Sequence, residues 1–398
     1  MQEVVKQISE RLVKLGHDVT VATTKLLDRK DEIIGGVKIV EFNISGNAVR
    51  GYRFGEVDKY RQFLLNSNFD IITNFAAQQW ATDLALPILD QIKAKKVFVP
   101  TGFSGLYFQD YKAYFEKMSL CMKQYDMNVF LSDDYRDIHF AREHKITKCA
   151  LIPNGASEDE FLSKPKIDMR NTLGIPKNNC LILHVGSHTG EKGHAEAIKI
   201  FDKANIKDAT LLIIANDVNL GCTKACKLKA QLFRFIPGKW FLYGIKGLIR
   251  SLLSFHFVPT QWLNKKKLIV TSLSREETVA AYLIADLFLF PSNIECSPLV
   301  LFECMASRTP FLASDAGNAG EIVSWSNAGT LLPTNIDGRG YSRVRIDKSA
   351  EILERIYNDR LLRERMGDAG FKAWQERFTW GKIAKQYEEL YLKLLAER

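Results

Sequence analysis

The chain has 398 residues, 46 % hydrophobic and 25 % charged, with 55 Lys and Arg against 46 Asp and Glu for a formal net charge of +9. That balance excludes a disordered chain or a collagen-like repeat, and at roughly 150 residues per domain it makes two or three packed units the expectation. Seven cysteines, an odd number spread from Cys121 to Cys304 with no repeated Cys-x-x-Cys pairing, exclude a disulfide framework and read as reduced thiols of a cytoplasmic protein.

The first two dozen residues lack the apolar core of a secretory leader. Val4, Val5, Ile8, Leu12 and Leu15 recur at helical spacing, Gly16 stops the helix, and the β-branched run over 19–24 predicts a strand. Strands at 70–73, 97–99 and 129–131 follow, with a helix over 81–93 and another capped by Ser132. After Leu151 the text turns polar and Pro-containing, opening with Ile152-Pro153-Asn154-Gly155, and the domain boundary is placed there, with domains at 1–162 and 163–376. The second series has strands at 180–185, 210–215, 268–270, 287–290 and 310–313 and a helix over 195–203. Strands alternating with helices predict an α/β chain of two Rossmann-like, doubly wound domains with parallel sheets. A last helix over 380–395 places Ile383, Tyr387, Leu390, Tyr391 and Leu394 on one side. The chain opens inside what is normally the first helix, so the first strand of the N-terminal sheet is expected to be missing: either the start is truncated or that sheet is built differently.

Asp286 to Val323 is the most informative stretch. It reads strand, loop, helix, strand, Gly-rich turn and helix. Ser297 as N-cap and Pro298 as first helical residue predict a helix start whose free N–H groups favour an anion, at the carboxyl end of a strand where ligands of α/β sheets bind. Glu295 before that helix and Glu303 within it could accept paired hydrogen bonds from the vicinal hydroxyls of a sugar or ribose. The plainer alternative is a solvated loop acid and a helix-surface charge. A glycine turn runs from Gly186 and Ser187 through Lys192 to Gly193 after another strand; Lys192 there could neutralise a diphosphate. A third turn carries Gly317 and Asn318 ahead of a helix.

In their order along the chain, Leu-Ile-Pro-Asn-Gly (151–155), the glycine turn at 184–194, Glu-Cys-Ser-Pro-Leu-Val-Leu-Phe-Glu (295–303), Ala-Gly-Asn-Ala-Gly-Glu-Ile-Val (316–323) and the closing Phe378 to Tyr391 resemble glycosyltransferase family 4. The resemblance implies a retaining, nucleotide-sugar-dependent enzyme of the GT-B fold, with a cleft between an N-terminal acceptor domain and a C-terminal donor domain, and with 377–398 crossing back to the first domain. It implies that Glu303 binds the nucleotide ribose, that Glu295 with the segment Cys296, Ser297, Pro298 and Leu299 holds the donor sugar, that Gly186, Ser187 and Lys192 contact the diphosphate, and that Gly317 and Asn318 face the sugar or its phosphate. Glu295 and Lys192 are the expected catalytic residues. Two departures matter. Ser187 stands where the family usually has an arginine, and the N-terminal domain lacks the family's histidine near the reacting sugar, which leaves Asn74, Thr101 and Gly102 to serve the acceptor side. The reaction is expected to need no metal or other cofactor, the nucleotide sugar being a substrate. The expected partners are that donor and a glycan or lipid-linked acceptor of bacterial-type polysaccharide synthesis. An epimerase or glycogen-synthase-like transferase of the same fold, and a catalytically inactive sugar-nucleotide-binding scaffold at a membrane, are the alternatives.

Asp133 and Asp134 read as acids at a helix start rather than metal ligands. His184 reads as a core histidine, His139 and His144 as surface residues. Cys222 and Cys226 are one helical turn apart without partner histidines, so no zinc site is expected there. No acid occurs between Asp217 and Glu276, while eleven Lys and Arg run from Lys224 to Arg275. Within this basic insertion (218–267), Lys239, Lys246 and Arg250 would fall within about 40° on a helix whose other face is apolar. That composition suits an anionic membrane surface, through residues 222–266, or equally an apolar face packed on the second domain; nucleic acid is not expected as a partner.

Overall fold

The computed structural model describes residues 1–53, 55–163, 167–215, 222, 225–230 and 266–397. The amphipathic helix expected over 239–252, and most of the segment 222–266 with it, lies outside the described residues. The chain divides into two compact units: Met1–Ser157 with Cys296–Pro298 and Arg377–Arg398 form the first, Glu158–Glu295 with Leu299–Glu376 the second.

The first unit holds its parallel strands in two separate sheets. β1 (Thr20–Thr24), β2 (Ile33–Ile34) and β3 (Val37–Phe42) form one in the order β1-β3-β2, with β1 and β3 parallel. Gly35 and Gly36, at φ +59° and +82°, close the β2–β3 hairpin, a two-residue turn that needs positive φ at both positions. β4 (Ser45–Asn47) and β5 (Gly51–Arg53) make a small hairpin. β6 (Ile71–Phe75), β7 (Lys95–Val99), β8 (Met127–Phe130) and β9 (Cys149–Leu151) lie side by side in sequence order, all parallel. Among the described residues no ladder joins this sheet to that of β1, and β1 is only half-buried along its length. The doubly wound sheet expected here is thus built in two parts.

Two local expectations are corrected. The helix over 81–93 is Trp80–Ala85 followed by a 3-10 turn, Leu86–Ile88, because Pro87 has no N–H to continue the ladder. Ser132 does not cap a helix: its Oγ accepts from the Asp134 N–H, 3.1 Å, and the helix starts later, as Arg136–Glu143. The terminal helix Trp380–Ala396, capped by Thr379, belongs to this first unit. It buries Ile383, Tyr387 and Leu394, packs on the helix Gln2–Lys14, and places the Tyr391 hydroxyl 2.8 Å from Thr73 Oγ1.

In the second unit β10 (Cys180–Val185), β11 (Ala209–Ile214), β12 (Lys267–Thr271), β13 (Leu287–Phe290), β14 (Phe311–Ser314) and β15 (Gly329–Leu332) are all parallel, in the order β12-β11-β10-β13-β14-β15. Counted within the unit this is 3-2-1-4-5-6, the dinucleotide-binding order, and its direction of winding reverses between β10 and β13. The apolar runs of β11, β13 and β14 are buried throughout, as helices on both faces require. A hairpin of β16 (Thr334–Ile336) and β17 (Ser342–Val344) follows.

Lys266, counted above with the basic segment, is committed to this core. Its ammonium donates to the carbonyls of Phe201 (2.8 Å), Asp202 (3.1 Å) and Ala204, closing the C-terminus of the helix His194–Lys203. Burial pushes it down to about 8. No helix among the described residues is long and apolar enough to cross a membrane.

Candidate active site

The loops that leave β10 and β13, the strands flanking the reversal, are locked together. The Asn293 N–H donates to the Glu191 carbonyl at 2.8 Å, and the Tyr341 hydroxyl donates to the Glu191 carboxylate at 3.1 Å. Glycine is required for this closeness. At Gly193, φ is +74° and a Cβ would stand 1.9 Å from the Pro291 carbonyl oxygen; at Gly186 a Cβ would lie 3.0 Å from the Cβ of Lys192. The loops bring two of the expected residues, 103 positions apart, into contact. Lys192 Nζ donates to Glu295 Oε1 at 2.7 Å, and the same oxygen accepts from Ser292 Oγ at 2.7 Å. The Glu295 side chain is 10 % exposed and that of Lys192 28 %, so a partly desolvated ammonium and a carboxylate held by two donors stand at the carboxyl edge of the two central strands.

Glu303 is placed differently. It lies in the helix Leu299–Ala306, buried, and pairs with Arg275 Nη1 at 2.6 Å. Arg275 forks onto Glu160 as well, Nε to Oε1 at 3.0 Å and Nη2 to Oε2 at 2.6 Å. Glu303 is therefore not a solvated helix-surface charge. Arg275 and Glu160 were missed as its partners; the only local signal is the capping box of Ser274 and Glu277, which places Arg275 at the first position of its helix.

The segment Cys296–Pro298 packs within the first unit. The Ser297 carbonyl accepts from Asn154 Nδ2 at 2.9 Å, and the absence of a side chain at Gly102 (φ +96°) admits Cys296, whose Sγ would be 2.8 Å from a Cβ there. The helix begins at Leu299, after rather than at Pro298, and the buried Ser297 Oγ has no hydrogen-bond partner instead of acting as the cap. Asn154 and Gly155 explain the turn noticed in the sequence: a Cβ at Gly155 would sit 2.4 Å from the Phe378 carbonyl oxygen, beside the bridge between Ala156 and Thr379.

The loops leaving β6 and β7 hold strained backbone. Ala76 and Gln78 after β6, and Thr101, Gly102 and Phe103 in succession after β7, all have positive φ. Left-handed non-glycine residues persist where the surroundings over-determine them, and they gather at functional loops. Asp137, which the sequence reading passed over, holds the second loop: Oδ2 accepts from the Gly102 N–H at 2.8 Å. Burial pushes this carboxyl up to about 6. Asn74 is a core residue, its Oδ1 accepting from the buried Tyr125 hydroxyl at 2.9 Å. Asp133 pairs with Arg142 (2.6 Å) and Asp134 with His139 (2.8 Å) across the helix start.

The third turn follows β14. Gly317 has φ +62°, Asn318 is buried at the start of the helix Ala319–Ser326, and the Ser342 hydroxyl donates to the Asp315 carbonyl at 2.6 Å. His184 is a core residue as expected from its place in β10: fully buried, Nδ1 2.8 Å from the Leu289 carbonyl, and held down to about 4 by burial. The expectation that Cys222 has no histidine beside it is overturned, because the loop after β10 folds His188 Nδ1 to 3.2 Å from its Sγ.

Residues 1–160 match the family model described as Glycosyltransferase Family 4, and residues 261–373 match that of Glycosyl transferases group 1. The chain is a family 4 glycosyltransferase of the GT-B type. This glycosyltransferase is similar over 97 % of its length to a glycosyltransferase of Methanocaldococcus jannaschii, 23 % identical and covered to 92 %. Among solved structures it is similar to sucrose-phosphate synthase from Thermosynechococcus elongatus (TM-score 0.72, 19 % identity, 99 % of this chain and 93 % of that one). It is also similar to Anabaena HepE in complex with UDP and glucose (TM-score 0.68, 15 % identity, 98 % and 94 %).

Proposed function

We propose that this glycosyltransferase moves a hexosyl group from a nucleoside diphosphate sugar to an acceptor hydroxyl with retention of anomeric configuration. The observation that carries the reading is the Lys192–Glu295 pair, at the reversal of a 3-2-1-4-5-6 sheet. The bond from the anomeric carbon to the diphosphate breaks, the acceptor oxygen bonds to that carbon on the same face, and the hydroxyl proton passes to the departing phosphate oxygen. Lys192 shifts from Glu295 towards the diphosphate as negative charge grows there, and the amides opening the helix at Leu299 add their dipole, so the charge is met without a metal. Glu295, held by Ser292, turns to the hydroxyls of the sugar, and Glu303 with Arg275 holds the ribose. Gly186 and Ser187 border the diphosphate, and Gly317 and Asn318 the sugar. Asn74 is occupied by Tyr125, so the acceptor is assigned to the loop of Thr101 and Gly102.

The acceptor proposed is a glycan or a lipid-linked glycan of bacterial-type polysaccharide synthesis, in the cytoplasm, where the seven free thiols stay reduced. The eight Lys and Arg from Lys224 to Lys265, with no acid among them, support peripheral contact with anionic lipid. Nucleoside diphosphate release from a panel of nucleotide sugars tests the reading. Lys192→Met and Glu295→Gln are each expected to lower kcat/KM by about 10²–10³ in the range of a lost transition-state donor. Activity within tenfold of the parent in both variants, or an inverted anomeric proton signal in the product, would refute it.

A further inference from the structure

His188, in the glycine turn, and His194, the first residue of the following helix, lie beside Cys222, with one donor atom of each of the three within 4.8 Å of the other two. The His188 Nδ1 to Cys222 Sγ distance of 3.2 Å is close to the about 3.6 Å that a nitrogen and a sulfur span on a tetrahedral zinc ion with ordinary bond lengths. His194 supplies an independent indication. Its Nε2 donates to the Gly186 carbonyl at 3.1 Å, which fixes the tautomer, and its Nδ1 is then a bare lone pair, buried and without a hydrogen-bond partner in a residue only 2 % exposed. Folded proteins rarely leave such an atom unpaired. A backbone carbonyl on the far nitrogen is also the usual support of a metal-bound imidazole. Cys226, buried and one turn beyond Cys222, hydrogen-bonds to the Cys222 side chain and stands ready as a further sulfur. The rings of His188 and His194 stack at 4.5 Å, so both are held by packing before any ion arrives.

We infer that His188, His194 and Cys222 form a binding site for a transition-metal cation. Two imidazole nitrogens and a thiolate select Zn²⁺ over Mg²⁺ or Ca²⁺, which take oxygen ligands. Binding displaces the thiol proton of Cys222 to solvent and forms one metal–sulfur and two metal–nitrogen bonds, with no change of oxidation state. The site ties the loop that carries Lys192 to chain beyond β11. Its role is to hold that loop, and it takes no part in the transfer itself.

The test uses the purified full chain, freed of metal by a chelator and titrated with Zn²⁺ and separately with Co²⁺. One metal per chain by elemental analysis, and a sulfur-to-cobalt charge-transfer band in the near ultraviolet, are expected. His188→Asn and Cys222→Ser should each weaken Zn²⁺ binding by about a hundredfold or more, whereas Cys149→Ser, at an exposed cysteine outside the cluster, should leave it unchanged. Equal binding in the His188 or Cys222 variants, or Co²⁺ taken up without the sulfur band, would overturn the site. The cobalt spectrum of the unaltered chain decides the matter even where a variant misfolds, and neither readout depends on sugar transfer.

Discussion

Arg275→Met removes the cation that balances the buried carboxylate of Glu303. The pair stands at 2.6 Å with Glu303 8 % exposed and Arg275 43 % exposed. Unit charges about 4 Å apart attract by about 4 kcal/mol at an effective dielectric of 20, and breaking a fully buried pair costs about 3–5 kcal/mol. Water reaches the guanidinium side of this pair, so the loss falls to about 2–3 kcal/mol. For a unit of this size that is a fall in Tm of roughly 4–12 °C. The assay is urea and thermal unfolding by circular dichroism for Arg275→Met, Glu303→Gln and the double variant. Neutralising Glu303 removes the stranded charge, so the double variant should recover about 1–2 kcal/mol relative to Arg275→Met alone, a coupling of the size that contacting residues show. A cost below about 0.5 kcal/mol for Arg275→Met, as at an ordinary surface position, or no recovery in the double variant, would refute the reasoning.

Gly193→Ala should destabilise by at least about 2 kcal/mol, because its Cβ would stand 1.9 Å from the Pro291 carbonyl oxygen, whereas Gly190→Ala, with φ +87° and open space around it, should cost about 1 kcal/mol from backbone strain alone; equal unfolding midpoints for the two would remove the steric argument. Asp137 binds its proton more tightly folded (about 6) than its ordinary value of 3.8, so the folded state takes up a proton between those values, and the contribution of this group to stability is fully present below about pH 4 and is lost as pH rises through about 6. The decline is about 3 kcal/mol at 1.36 kcal/mol per unit, and Asp137→Asn should remove it. Parallel stability curves for parent and variant between pH 4 and 6.5 would show that Asp137 does not titrate as its burial requires.

Repetition of local pattern was the legible part of this protein. Leu287–Phe290 and Phe311–Ser314 are short apolar runs, each with a proline at one end (Pro291 and Pro310), so they announce strands buried on both faces, and the loops at their carboxyl ends are where α/β sheets take a ligand. β2, β4 and β5 went unread because strands of two or three residues carry too few positions for a period. Helix boundaries slipped at Pro87 and Ser132 for a related reason: a proline, or a hydroxyl that finds a nearer N–H, acts over one turn and overrides the wider pattern.

Lys192 and Glu295 were identifiable from residue type and neighbouring glycines, yet their contact across 103 positions depends on β10 and β13 lying side by side. Composition and spacing alone decided that this chain builds parallel α/β sheets, since backbone hydrogen bonding and the burial of apolar periods act locally. Only the tertiary structure decided which polar groups meet: Arg275 with Glu303 and Glu160, Asp137 with the Gly102 amide, His188 beside Cys222. Electrostatic and ligand contacts depend on distance in space, and the strand order that sets those distances is a property of the whole sheet.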